Sequence, residues 1–320
     1  HYPLRRQRQM CIRDSDYGAS ISAEGEIRPL YQAQKTLGDI VARCPWLVEA
    51  ERIYDCRLAL DFEYARAERY WPTNHRAWQF LEKGLLTTAL CAGMSPICVN
   101  LDVDDWVGDV GTPLLVVSSN SMGRAKQARL ARFLQQGGRA LITPTLPALD
   151  ENLEPCTLLV DFLGVPPLQV DTAHTVRATF GGVANVCYDM AFFSDAHPAA
   201  AEILGWDERT GNALAIQVAT EGGGRALILG LAWTHSKAEH NAMLTTLTEH
   251  LGWQQRVFCS NPNIWTSLRV AGNQGLLFIL NLYSASMEAE VCYRDAAGKT
   301  LSTGTHCLKP MTVELVEVNV

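Results

Sequence analysis

Residues 113–144 read PLLVVSSNSMGRAKQARLARFLQQGGRALITP, and this stretch decides the fold. Pro113–Ser118 is a continuous apolar run of the kind found in a parallel strand buried on both faces. Ala125–Gln136 has helical spacing, and Gly137-Gly138 supplies the stop, because glycine enters the left-handed conformation that closes a helix. Ala140–Thr143 then returns as a second apolar run. Strand, helix and strand in so short a span predict a right-handed crossover between parallel neighbours.

The same rhythm extends outward. Upstream, Ile53–Phe62 reads as a strand, Ala77–Ala92 as a helix and Pro96–Leu101 as a short strand followed by an acidic loop. Downstream, Ala213–Val218 and Arg225–Ala232 read as strands, and Lys237–Leu251 as a helix. The prediction is an α/β domain over residues 52–253, built on a doubly wound, mostly parallel sheet. After Trp253 the helical period disappears. Val257–Ser260, Trp265–Val270, Leu276–Leu282, Ala289–Tyr293 and Thr312–Val318 alternate with Asn, Gly, Ser and Pro, which predicts a small antiparallel β-sandwich over 254–320. Ahead of both domains, Pro29–Cys44 carries apolar side chains at Leu30, Ala33, Leu37, Ile40, Val41 and Cys44, one buried face of a helix begun at Pro29.

Composition narrows the partners. The 320 residues are 48% hydrophobic and 19% charged, which is the make-up of a folded protein. A net charge of −7 argues against nucleic acid, and no stretch approaches the about 20 apolar residues of a membrane span. Ten cysteines include no C-x-x-C pair and no metal spacing. Several lie in apolar runs, so reduced, buried thiols in a cytoplasmic protein are expected, without cofactor or metal.

The first residues, HYPLRRQRQMCIRDS, form a basic run with no apolar signal core. Gln9–Ser15 is what the codons of a transposon-end sequencing adaptor spell, so residues 1–15 are expected to be a translated scar that packs against nothing. The protein proper would then begin near Asp16, inside a domain.

Asp16–Glu26, DYGASISAEGE, resembles the segment after the last barrel strand of family 35 β-galactosidases, with Leu30-Tyr31 in the helix that follows. Ser20 stands where that family has proline, and Glu24 is shifted by one position. The pattern LLVVSSNSM, Gln127…Leu130 and FLQQGGRALITP resembles the glutamine-amidotransferase-like middle domain of family 42 β-galactosidases. The resemblance implies a chain organised as a barrel remnant at 16–51, an amidotransferase-like domain at 52–253 and a β-domain at 254–320. It implies a parent that cleaves terminal β-galactosides with retention, and homo-oligomers built through the middle domain. Retaining cleavage needs two carboxylates about 5–5.5 Å apart. In the family both lie on barrel strands upstream of Asp16, so no catalytic residue is expected in this chain. Tyr17 matches the tyrosine that lies against galactose at the barrel mouth. A non-catalytic binding or assembly module is the alternative, and a stand-alone amidotransferase-like hydrolase is a third reading.

The remaining candidates weigh against independent chemistry. An amidotransferase nucleophile should follow the strand Arg139–Thr143, but that place holds Pro144-Thr145-Leu146-Pro147. His235 falls where such a triad keeps its histidine, with no thiol to activate. Asp102, Asp104, Asp105 and Asp109 miss the calcium-loop pattern, since Gly108 is seventh rather than sixth and Pro113 takes the twelfth place; a solvated loop is expected. Gly222-Gly223-Gly224 precedes a strand rather than a helix, which suits a turn and not a phosphate cradle. His174, His197, His240 and His250 show no ligand spacing. Trp71, Trp106, Trp206 and Trp265 lie near loop signals and are read as core or interface residues, one of them a candidate to approach a neighbouring subunit.

Overall fold

A computed structural model describes residues 20–22, 24–63, 79–171, 177–195 and 197–320. Tyr17, Trp71 and His174 lie outside the described residues, as does the whole of the 1–15 segment. The chain divides into two compact units, a smaller one of residues up to Arg52 with Leu268–Leu276 and Glu317–Val320, and a larger one of Ile53–Ser267 with Leu277–Val316.

The larger unit is organised by a nine-stranded sheet. Its strands are β1 (Cys56–Leu60), β2 (Pro96–Asn100), β3 (Leu114–Val117), β4 (Arg139–Thr143), β5 (Arg177–Phe180), β6 (Val183–Cys187), β7 (Glu202–Asp207), β8 (Ala213–Ala219) and β9 (Arg225–Leu229). They lie in the order β2-β1-β3-β4-β9-β8-β7-β5-β6. The first five are mutually parallel, with Leu58 opposite Cys98 and Leu115, Val116 opposite Ile142, and Leu227 opposite Leu141. The last four are antiparallel. The expectation of a mostly parallel sheet therefore describes only half of it. β5, β6 and β7 carry polar, glycine and aromatic residues such as Arg177, Asn185 and Gly205, which hid a strand rhythm in the sequence.

Alternation along β3 assigns the two faces. Leu115 and Val117 pack with Leu58, Leu141, Leu227 and Leu229 against Phe80, Leu81 and Leu85 and against Met243, Leu244 and Leu247. Leu114 and Val116 pack with Ala140, Ile142 and Ile228 against Leu130, Phe133, Leu134 and Leu159. The helices behind these contacts are α2 (Thr87–Cys91, entered through a wide-turn segment Phe80–Leu86), α3 (Arg124–Gln135), α4 (Leu158–Leu163) and α5 (Ala238–His250); the smaller unit carries α1 (Pro29–Arg43). Helix α3 ends as its sequence demands. Gly137 sits at φ +96°, the Gly137 N–H donates to the Leu134 carbonyl at 3.2 Å, and the Gly138 N–H donates to Phe133 at 2.9 Å. A side chain at Gly138 would meet the Phe133 ring at 2.5 Å.

Trp233 follows β9 and is fully buried. It stands edge-on to Phe80 with ring centroids 4.8 Å apart, and its indole N–H donates to Thr88 Oγ1 at 2.8 Å. Both halves of the amphipathic ring are thereby satisfied.

The larger unit also holds an antiparallel sheet of Val257–Cys259, Met287–Arg294 and Thr300–Leu308 in that order. A second sheet takes Glu51–Arg52, Ile264–Ala271, Gln274–Asn281 and Thr312–Asn319 in that order. Thr300–Leu308 went unpredicted because its Ser, Thr, Gly and His leave no alternating apolar signal.

In the smaller unit α1 packs sparsely. Leu37, on the face predicted to be buried, is 59% exposed, and Ile40 and Val41 are only half covered. Cys44 at its end is buried, and its Sγ donates to Glu317 Oε1 at 3.7 Å. None of the described helices is long and apolar enough to cross a membrane.

Candidate functional site

In parallel α/β sheets the chemistry-bearing crevice opens beyond the carboxyl ends of the strands, where the strand order reverses. Here β1 has β2 on one side and β3 on the other, so the reversal falls between β1 and β3. Asp61 and Glu63 follow β1, Asp102 follows β2, Ser118–Ser121 follow β3, and Lys126 stands on the first turn of α3.

Lys126 fills the crevice. Its ammonium donates to Asp61 Oδ1 at 2.7 Å and lies 3.0 Å from Asp102 Oδ1 and 3.1 Å from Glu63 Oε2. The lysine and aspartate side chains are 5% and 1% exposed. Burial pulls the Lys126 ammonium down, the bonds to Asp61, Asp102 and Glu63 push it up, and the net displacement is upward. The helix start is closed by carboxylates as well, Glu63 of this cluster and Glu151 from the loop after β4. Gly123 at the N-cap offers no side-chain acceptor. Glu63 Oε2 accepts the Gly123 N–H at 3.2 Å, and Glu151 Oε2 accepts the Arg124 N–H at 2.8 Å. A helix N-terminus favours anions, and here the chain supplies its own.

The acidic loop is solvated at Asp102, Asp104 and Asp105, as expected, and is held at its base. Arg129 donates to the Leu101 carbonyl at 2.6 Å and lies 5.0 Å over the Trp106 ring. Arg57 donates to Trp106 O at 2.7 Å and pairs with Asp109 at 3.6 Å. Trp106 is accordingly core. Among the described residues no group of His, Cys, Asp and Glu is arranged to hold a metal.

The segment after β4, where an amidotransferase would carry its nucleophile, presents no thiol. Thr145 and Leu146 after β4 are buried, and Thr143 Oγ1 is spent on the Leu231 carbonyl at 2.8 Å. His235 is half-buried, with Nε2 2.9 Å from Asn241 Oδ1. His240, six positions past Thr234, is nearly fully buried, with Nε2 2.8 Å from the Cys187 carbonyl. Burial pushes the His240 imidazole down, toward its neutral form. The Gly222–Gly224 run makes the expected turn, with Gly223 at φ +81° and its N–H donating to the Thr220 carbonyl at 2.9 Å, and its two outer glycines pack closely. A side chain at Gly222 would strike Gln135 O at 1.5 Å, and one at Gly224 would strike Leu134 O at 2.0 Å. Trp206 is exposed in β7, Trp265 is half-buried, and His197 and His250 are half-buried without a shared ligand position. Nine described cysteines are free; four are buried, while Cys98 and Cys307 are exposed against expectation.

Sequence reading missed the Lys126 cluster, although a signal was present. The buried positions of α3 are Lys126, Gln127, Leu130, Phe133 and Leu134, so the period puts a lysine on the buried face, where only a paired lysine is tolerated.

Residues 66–197 match the family model described as GLMA-like, second domain. An exo-beta-D-glucosaminidase of Pyrococcus horikoshii is 26% identical over 261 residues, covering 76% of this chain and 31% of the relative. A beta-1,2-glucosyltransferase of Ignavibacterium album is 25% identical over 214 residues, 64% of this chain and 29% of the relative. The chain thus spans under a third of the length of these relatives. Among solved structures, a GH42 beta-galactosidase from G. stearothermophilus aligns with a TM-score of 0.74 at 18% identity, over 95% of this chain and 46% of that one. At that identity the likeness speaks for the fold.

Proposed function

We propose that this chain corresponds to the C-terminal region of a family-42-like glycosidase and is the non-catalytic portion of an exo-acting, retaining β-glycosidase. The observation that carries the non-catalytic reading is the crevice at the β1–β3 reversal, which Lys126, Asp61, Glu63 and Asp102 fill with one another. A raised-pKa acid paired with a free carboxylate is what glycoside cleavage needs, and no such pair is free there. The strand order and the helices on both sheet faces support a doubly wound, amidotransferase-like frame that keeps the scaffold and lacks the thiol. The carboxylates of catalysis would belong to a barrel preceding Asp16, with Tyr17 against the sugar, and oligomers would form through the middle domain. The alternative of a binding or assembly module agrees with the same filled crevice.

Two substrate readings have separate support. The Asp16–Glu26 junction favours terminal β-galactosides. The exo-beta-D-glucosaminidase relative favours terminal β-glucosaminides, and it rests on sequence likeness rather than on fold. The test is hydrolysis of nitrophenyl β-galactoside and nitrophenyl β-glucosaminide by the chain joined to its own upstream sequence. Turnover of either supports the glycosidase reading and chooses the sugar. Turnover of neither by a folded protein refutes it.

A further inference from the structure

Cys187 closes β6, the outer strand of the sheet, and Lys237 precedes the first turn of α5. The Lys237 ammonium donates to Cys187 Sγ at 3.5 Å. The pair is not a chance meeting of two loose side chains, because one buried residue holds both backbones. His240 Nε2 lies 2.8 Å from the Cys187 carbonyl, and the His240 N–H donates to the Lys237 carbonyl at 3.2 Å. The Ser236 N–H donates to His240 Nδ1 at 3.3 Å, which fixes the ring with its Nε2–H turned toward Cys187. Thr234 Oγ1 donates to Asp189 Oδ2 at 2.9 Å, a second tie between the same two segments. The thiol is half-buried and the lysine exposed, so a small oxidant has access.

We propose that Cys187 and Lys237 are a modification site, a redox-reversible cross-link in which one oxygen atom is inserted between Sγ and Nζ. The oxidant is molecular oxygen. The thiol, the lysine ammonium and O2 give the S–O–N bridge, one water and one proton. The S–H bond and two N–H bonds break, and S–O and N–O bonds form. Sulfur and nitrogen each give up two electrons, and the four together reduce both oxygen atoms, one into the bridge and one into water. Small-molecule thiols in excess reverse the step, four of them returning the four electrons as two disulfides while the bridge oxygen leaves as water. The link ties the sheet edge to the start of α5, across the ring of His240.

The site is tested on the 320-residue chain by peptide mass spectrometry after exposure to air-saturated buffer, with and without later dithiothreitol. The expected result is a linked peptide pair containing residues 187 and 237, heavier than the two free peptides by one oxygen less two hydrogens. It should vanish with dithiothreitol and be absent from both Lys237→Arg and Cys187→Ser. Lys237→Arg keeps the charge and the fold, so its loss of the link separates chemistry from unfolding. Recovery of Cys187 as a free thiol, a sulfinic acid or a mixed disulfide, with Lys237 unlinked in the oxidised chain, would overturn the proposal.

Discussion

Replacing Lys126 by methionine removes a cation that Asp61, Glu63 and Asp102 share while keeping most of its volume. The Asp61 pair dominates the loss, since its two side chains are 5% and 1% exposed. Breaking a buried pair by deleting one partner costs about 3–5 kcal/mol, because the remaining charge is stranded away from water. The Asp102 carboxylate is 41% exposed and adds no more than a surface pair, about 0.2–1 kcal/mol. An expected loss of about 4 kcal/mol lowers the melting temperature by roughly 8–16 °C for a domain of this size. The assay is thermal and urea unfolding of the parent, Lys126→Met, Asp61→Asn and the double variant. Asp61→Asn keeps the acceptor that the Glu63 N–H uses at 3.0 Å, so the double variant should recover a large part of the loss. A loss below about 1 kcal/mol in Lys126→Met, or strict additivity in the double variant, would refute the buried-pair account.

Other outcomes follow from separate parts of the fold. Burial raises the Asp55 carboxyl above its ordinary value of 3.8, against the Ser95 N–H that holds it down at 2.8 Å. Its stability contribution is therefore full below that value and lost as pH rises, so Asp55→Asn should stabilise at neutral pH and cease to do so near 3.8 in urea titrations. Gly224→Ala places a methyl 2.0 Å from the Leu134 carbonyl and should cost about 1–3 kcal/mol in chemical denaturation, whereas Gly182→Ala, with open space but φ +90°, should cost less. Amides of α1 should exchange with deuterium much faster than those of β3, given the exposure of Leu37; equal protection would mean that the helix is packed. Leu37→Glu should leave the unfolding free energy of this chain within about 0.5 kcal/mol of the parent in urea titrations.

Much of the parallel half was legible because burial on both faces forces continuous apolar runs. Leu114–Val117 and Arg139–Thr143 lie within a residue or two of the stretches that announced them. Helix α3 was readable at both ends, since Gly137 and Gly138 are required by the geometry of its last turn. The antiparallel half was hidden for the opposite reason. β5 is only four residues long, β6 buries Val186 alone among its five positions, and β7 includes Gly205, where a side chain would meet the Phe180 ring at 2.1 Å. Strands shaped by close backbone approach leave no hydrophobic period to count. The crevice was half legible. The absence of a thiol at Pro144–Pro147 could be read directly, but the convergence of Asp61, Asp102 and Lys126 depends on parallel pairing across residues far apart in the chain.

A chain whose crevice is filled by its own ion pairs should have no glycosidase catalysis of its own. The direct measurement is release of nitrophenol from β-galactoside and β-glucosaminide by the purified 320-residue chain, after circular dichroism shows it folded. No turnover above buffer is predicted for either sugar. Turnover that disappears when a carboxylate of this chain, such as Glu63 or Asp102, is changed to its amide would contradict the account.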